Sequence, residues 1–135
     1  MLARTAKAED RVLAEALRYA INGVIATTVH YAALLFNMDV LLMPSAGVAN
    51  LCAAVAGITA SFLGSRYFVF RNHAGGVLHQ AAKFGLLFGA IALIHGFCLY
   101  LWTDLAGFDY RIGFLFALVL QVVFSYWGNK RLVFT

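Results

Sequence analysis

The sequence predicts an all-α membrane protein with four transmembrane helices, arranged as two tandem hairpins that repeat in parallel, both termini cytoplasmic. Three observations carry that prediction. Hydrophobic residues make up 63% of the chain and charged residues 12%, with a mean hydropathy of +0.83. A soluble domain of 135 residues cannot hide that much apolar surface, so a bilayer must take it up. The charges then divide the chain: Arg18 and Asp39 bracket 20 uncharged residues, Asp39 and Arg66 bracket 26, Lys83 and Asp104 bracket 20, and Arg111 and Lys130 bracket 18. About 20 apolar residues carry a helix across ~30 Å of hydrocarbon, so four crossings fit with short connections. Finally, a ten-residue pattern occurs twice. Ser61-Phe62-Leu63-Gly64-Ser65-Arg66-Tyr67-Phe68-Val69-Phe70 returns 64 positions later as Ser125-Tyr126-Trp127-Gly128-Asn129-Lys130-Arg131-Leu132-Val133-Phe134.

Each copy ends a long apolar run with a cation and an apolar-aromatic foot, the pattern of a helix leaving hydrocarbon at the phosphate level. Nine of the ten cations fall on one side of the four crossings, with Arg111 alone on the other beside Asp39, Asp104 and Asp109. The positive-inside rule therefore puts the termini and the middle loop in the cytoplasm. The net charge of +4 forms a collar facing anionic headgroups and is not a nucleic-acid signal. Cys52 and Cys98 fall inside the hydrocarbon on different helices and read as packing residues, without metal-ligand or redox spacing.

The chain reads as one domain, residues 1–135. Residues 1–17 form a cytoplasmic start whose mixed charges and Val12, Leu13 and Leu17 suggest an amphipathic surface helix or a frayed polar end. This stretch is too charged to be a cleavable signal. The first hairpin spans 18–70. Its first crossing, from Arg18 to Phe36, holds Asn22, Thr27 and His30, which should face the protein interior because an unpaired polar group in hydrocarbon is costly. Pro44 belongs to the outer loop or the start of the second helix. The second crossing carries Asn50, Ala54, Gly57, Ser61 and Gly64 at steps of three and four, a small-residue stripe suited to close helix contact. Arg71 to Gly76 forms a turn region, with Gly75-Gly76 as its breaker.

The second hairpin spans 83–134. Its first helix repeats features of the opening helix 65 positions on: Arg18-Tyr19-Ala20 matches Lys83-Phe84-Gly85, and His30 matches His95. Gly85, Gly89, Ala92 and Gly96 line one face of that helix. The last crossing contributes Gln121 and Ser125. Tyr100, Trp102, Tyr110, Tyr126 and Trp127 sit where an interfacial aromatic belt would. Because each half crosses twice, the repeat is parallel and its pseudo-axis lies along the membrane normal. Arg18 with Lys83, and Arg66 with Lys130, would then ring one end of the bundle.

At these helix ends the sequence resembles the GtrA-like family of small four-helix membrane proteins. Arg18-Tyr19-Ala20-Ile21-Asn22-Gly23 is similar to the family's first-helix start. Arg66…Val69-Phe70 and Asn129-Lys130…Val133-Phe134 resemble its helix-end signature. The family often has Asn where this chain has Ser61 and Ser65. The resemblance covers nearly the whole chain from Leu17 and implies movement or hand-over of polyprenyl-phosphate-linked sugars for cell-envelope or O-antigen glycosylation. It implies a bacterial inner-membrane location and a membrane glycosyltransferase as working partner.

The residues offer a partner for each part of such a lipid. Arg66, Lys130 and Arg131, with Arg18 and Lys83, could neutralise the phosphate, aided by the N-terminal dipoles of the helices that begin near Arg18 and Lys83. Asn22, Thr27, His30, Asn50, Ser61, His95, Gln121 and Asn129 could replace water around the sugar. The prenyl chain needs only a side opening. Each group has a plainer reading: the cations as topology anchors, the histidines as core hydrogen bonders, the outer aspartates as solvated loop charges.

No carboxylate lies within the apolar runs, which weakens a proton-coupled multidrug exporter. No phosphate-binding Gly-rich loop, metal-ligand cluster or nucleophile–base pair occurs, so neither enzyme activity nor a cofactor is expected. Two readings stay open: a downhill lipid-sugar translocator, or a non-transporting scaffold for a glycosyltransferase. A homo-oligomer is also expected, with Gly85, Gly89 and Gly96 as contact face.

Overall fold

The computed structural model describes residues 2–70 and 76–128, with side chains from Ala3 to Phe70 and Gly76 to Phe124. It is a bundle of α1 (Leu2–Leu35), α2 (Ala46–Gly64), α3 (Val77–Leu99) and α4 (Tyr110–Gly128). Three of the helices, with their terminal turns, are long and apolar enough to cross a membrane, and α4 adds the shorter apolar run Tyr110–Phe124. The protein is a four-helix membrane protein.

α1 is longer than the first crossing requires. Its 34 residues span about 50 Å at 1.5 Å per residue. It runs unbroken through Arg18, and every described side chain from Ala3 to Leu17 is exposed. The charged start is therefore helical, but it continues the axis of the first crossing and does not turn to lie along a surface.

α1, α2 and α3 each end in a widened π-helical turn: Phe36–Val40, Ser65–Val69 and Tyr100–Leu105. The wider turn closes bonds such as Leu41 N–H to Phe36 O at 3.0 Å and Phe70 N–H to Ser65 O at 2.8 Å. It takes up backbone groups that an α-helix end leaves unpaired. The loops that follow α1 and α3 turn through positive φ at Leu42 (51°) and Gly107 (75°), positions 65 residues apart in the repeat.

α2 is the central helix and packs against both α1 and α3. Its small residues make this possible. A Cβ on Gly57 would lie 2.7 Å from His30 Cβ, and one on Gly47 would lie 2.9 Å from Tyr100 Cβ. Gly96 of α3 meets Leu51 and the Gly47 carbonyl, so it faces α2 and not another copy, whereas Gly85 and Gly89 have open space. The three glycines thus do not share one contact face. The buried apolar core consists of Leu34, Ala46, Ala49, Ala53, Leu99, Phe114 and Ala117. All seven lie toward the end where the 36–45 and 100–109 connections sit, hereafter the loop end.

The repeat is visible in the packing. Leu34 and Leu99, and likewise Ala53 and Ala117, are equivalent positions and all are buried. The clearest sign is a pair of reciprocal clasps. Asp39, at the end of α1, accepts from Tyr110 Oη at 2.8 Å and Arg111 Nη2 at 3.0 Å at the start of α4. Its repeat equivalent Asp104, after α3, accepts from Ser45 Oγ at 2.6 Å and from the Ala46 and Gly47 N–H groups at 2.8 and 3.2 Å at the start of α2. Each hairpin thus holds the other's second helix, as a parallel repeat about an axis along the bundle requires. Asp109 also has a structural role, its Oδ1 accepting from Arg111 N at 2.8 Å at the start of α4. The outer aspartates are caps and clasps, not idle solvated charges.

Candidate functional site

The polar side chains within the bundle fall into two groups at different depths. Asn22 and His30 stand eight positions apart on α1, about 12 Å along the axis.

Nearer the loop end, one residue from each helix closes a ring on the pseudo-axis. Asn50 of α2 bridges the two histidines: its Oδ1 lies 3.0 Å from His30 Nε2 and its Nδ2 lies 2.9 Å from His95 Nδ1. In this orientation of the amide, His30 donates from Nε2 and His95 accepts at Nδ1. Phe114 of α4, the repeat equivalent of Asn50, sits 5.2 Å from His30 and 5.0 Å from His95, ring to ring. The histidine rings are 5.3 Å apart. All four side chains are buried. The amide lowers the cost of burying both imidazoles, because its acceptor serves one ring nitrogen of His30 and its donor one of His95. His95 Nε2 remains buried without a hydrogen-bond partner among the described residues.

The second group lies at the opposite, charged end. Asn22 Nδ2 donates to Ser61 O at 3.0 Å and to Ser65 Oγ at 3.1 Å, joining α1 to α2. Gly64 allows this approach, since a Cβ there would overlap Asn22 Oδ1. Arg66, next along the chain from Ser65, donates from Nη1 to Gln80 Oε1 of α3. Its guanidinium also lies 5.8 Å from the Tyr67 ring centroid. Arg66 is half-buried, Arg18 is half-buried one turn out from Asn22, and Lys83 is exposed. The charged end therefore gathers Asn22, Ser61, Ser65, Arg66 and Gln80, with Arg18 one turn further out on α1, where cation and amide donors can meet an anion.

Lys130, Arg131 and Asn129, expected in the same ring of cations and polar groups, lie outside the described residues, as does the turn from Arg71 to Gly75; the side chain of Ser125 does too. Thr27, between Asn22 and His30 on α1, and Gln121 of α4 are both half-buried. His30, Asn50 and His95 bond to one another within the buried core.

A match to a family model decides the relationship: the description is "GtrA/DPMS, transmembrane domain", over residues 18–134. This chain belongs to that family. No curated protein and no solved structure matches it. GtrA/DPMS membership makes this a multi-pass membrane protein linked to the handling of polyprenyl-phosphate sugars. The matched segment begins at Arg18, so the exposed helical extension of α1 precedes the family domain.

Two contributors to the charged end were absent from the sequence-based site: Ser65 and Gln80. Ser65 occupies the position of Asn129 in the second copy, and that equivalence was the available signal. Gln80 is an uncharged residue in the first turn of α3, and only the fold shows Arg66 reaching it. The reciprocal roles of Asp39 and Asp104 carried a signal as well, since both stand 65 positions apart in the repeat.

Proposed function

We propose that this protein carries a polyprenyl-phosphate-linked sugar across the bacterial cytoplasmic membrane, both termini inside, for cell-envelope polysaccharide glycosylation such as O-antigen modification. It acts as a flippase and not an enzyme, beside a membrane glycosyltransferase that consumes the lipid on the far side. The observation that carries this reading is the position of Arg66. It is half-buried, tied across to Gln80, and level with the Asn22–Ser65 pair. A cation used only as a topology anchor needs no such fixing, because it can extend into the headgroups. A phosphate at this level meets fixed donors, and the adjoining amide and hydroxyl groups suit a sugar. Transport is downhill, drawn by consumption of the lipid.

The scaffold reading has one observation in its favour: the exposed extension of α1 before Arg18 leaves a helical surface for a partner. The two readings separate in vesicles containing the purified protein and a fluorescent polyprenyl-phosphate sugar. A translocator scrambles the lipid without ATP or a proton gradient, and Arg66→Ala with Lys130→Ala stops this while the protein still assembles. A scaffold leaves the lipid in its original leaflet, and the double variant still supports glycosylation in cells. Mass spectrometry of co-purified lipid gives an independent check: a prenyl-phosphate sugar supports the flippase, bulk phospholipid alone the scaffold.

A further inference from the structure

The two buried imidazoles share a single amide, through His30 Nε2 at 3.0 Å and His95 Nδ1 at 2.9 Å. Among the described residues no carboxylate stands at this depth. Asp39 and Asp104 are the nearest along α1 and α3, about 13 Å beyond the histidines, and both already hold partners across the loop end, Tyr110 and Arg111 of α4 included. Arg18 and Lys83 lie about 18 Å away toward the charged end, where Arg66 is tied to Gln80. The other titratable groups close by are Tyr31 of α1, whose ring packs on Phe114, the half-buried Cys98 of α3 and the exposed Cys52 of α2. The bridge is thus left to settle its own protons.

An amide has one oxygen that accepts and one nitrogen that donates. With both imidazoles neutral, His30 donates to Oδ1 and His95 accepts from Nδ2. A proton added to His30 enters at Nδ1 and leaves both bonds as they are. A proton added to His95 makes its Nδ1 a donor. The amide then turns over, Oδ1 serves His95, and His30 accepts at Nε2 with its own hydrogen on Nδ1. Phe114, 5.2 and 5.0 Å from the two rings, gives a single imidazolium an aromatic neighbour. With a proton on each ring, both facing nitrogens donate, and one of them meets Nδ2 donor to donor. Two like charges then also lie side by side, with ring centroids 5.3 Å apart. We propose that the bridge is a proton-counting latch, closed with no proton or one and open with two. The latch goes beyond lipid handling and holds whether the protein moves a lipid or docks an enzyme. Its opening removes the side-chain bonds that join α1 and α3 to the central helix within the core.

The test counts protons. Stability of the full chain in detergent micelles is measured by denaturant unfolding across acidic to neutral pH, and its slope against pH gives the protons taken up on unfolding. The His30→Gln, His95→Gln double variant supplies the slope that all other groups produce. Above that baseline, the wild type should lose stability as pH falls with the slope of one proton, since the unfolded chain binds two and the latched one only one. Each single variant should match the baseline, because a lone histidine always finds Oδ1. A wild-type slope of two protons with one in each single variant would mean that the rings titrate independently. A wild type level with the double variant would mean that the bridge accepts both protons. Either result overturns the latch. Nitrogen-15 NMR of the wild type needs no variant: one imidazole should take up its proton while the Asn50 Nδ2–H signals keep their hydrogen-bonded shift, and that shift should be lost as the second ring titrates. Loss at the first proton, or no loss with both rings protonated, rules the latch out.

Discussion

At the loop end, Asp39 and Asp104 reach across to the opposite hairpin, and Asn50 and Phe114 hold both histidines between them. At the charged end, α1 is tied to α2 through Asn22, and α2 to α3 through Arg66 and Phe62, while α4 has Val119, Leu120 and Val122 to Phe124 exposed. Both ends come from one duplicated hairpin, so symmetry alone cannot account for the difference. At the loop end, equivalent positions kept residues that work as pairs: Asp with Asp, Leu with Leu, Ala with Ala. Toward the charged end the cations and aromatic feet also match, but Phe88 stands against Gly23. Among the described residues, the contacts that define the fold concentrate at the loop end.

The largest expected effect comes from removing the centre of the fixed end. Asn50→Leu keeps side-chain volume but leaves His30 Nε2 and His95 Nδ1 buried without partners. Two lost bonds in a membrane interior cost about 2–3 kcal/mol in total. Ser65→Ala at the charged end should cost less than about 1 kcal/mol, because Asn22 still donates to Ser61 O. Unfolding in detergent micelles by increasing denaturant measures both. Equal losses would show that the two ends contribute alike and remove the contrast drawn above.

A second pair compares the two clasps. Asp104→Ala removes the acceptor for two N–H groups and a hydroxyl at the start of α2, an N-terminal capping loss of about 1–2 kcal/mol. Asp39→Ala opens the equivalent clasp, but the Arg111–Asp39 ion pair is roughly half exposed on both sides (52% and 47%), so solvent and salt weaken it. The loss for Asp39→Ala is therefore smaller and should fade as salt is raised, whereas the loss for Asp104→Ala should persist. Melting temperatures of both variants at low and high salt decide this.

The sequence carried the four-helix architecture and the duplication, because charge-free runs and the repeated helix end depend only on bilayer thickness and local pattern. It also carried the inward orientation of Asn22, His30, Asn50 and His95, since hydrocarbon leaves polar side chains no other favourable direction. Pairing was harder to read. Asn50 was recognisable as an interior group, but its place between His30 and His95 depends on α2 being the central helix. The outer aspartates looked solvated because capping partners 58 residues apart, such as Ala46 and Asp104, leave no local mark. The glycines of α3 looked like one stripe, yet Gly96 faces α2 while Gly85 faces open space. Spacing gives a common side; only packing shows what that side meets.

The smallest effect concerns the loops of the fixed end, where the two hairpins make the same turn with different residues. Gly107 and its equivalent Leu42 both adopt positive φ. For an L-residue with a side chain, this region costs about 1–2 kcal/mol relative to ordinary backbone, whereas glycine enters it freely. Leu42 is 76% exposed, so replacing it removes little packing. Glycine also has more freedom to lose on folding, which offsets part of the gain. Leu42→Gly should therefore stabilise the protein by no more than about 1 kcal/mol, and Gly107→Leu should destabilise it by a similar amount. Opposite signs for these two variants in the same melting assay would confirm that the loops are equivalent turns. A loss from Leu42→Gly would mean instead that the leucine side chain has a lipid-facing role that outweighs its backbone strain.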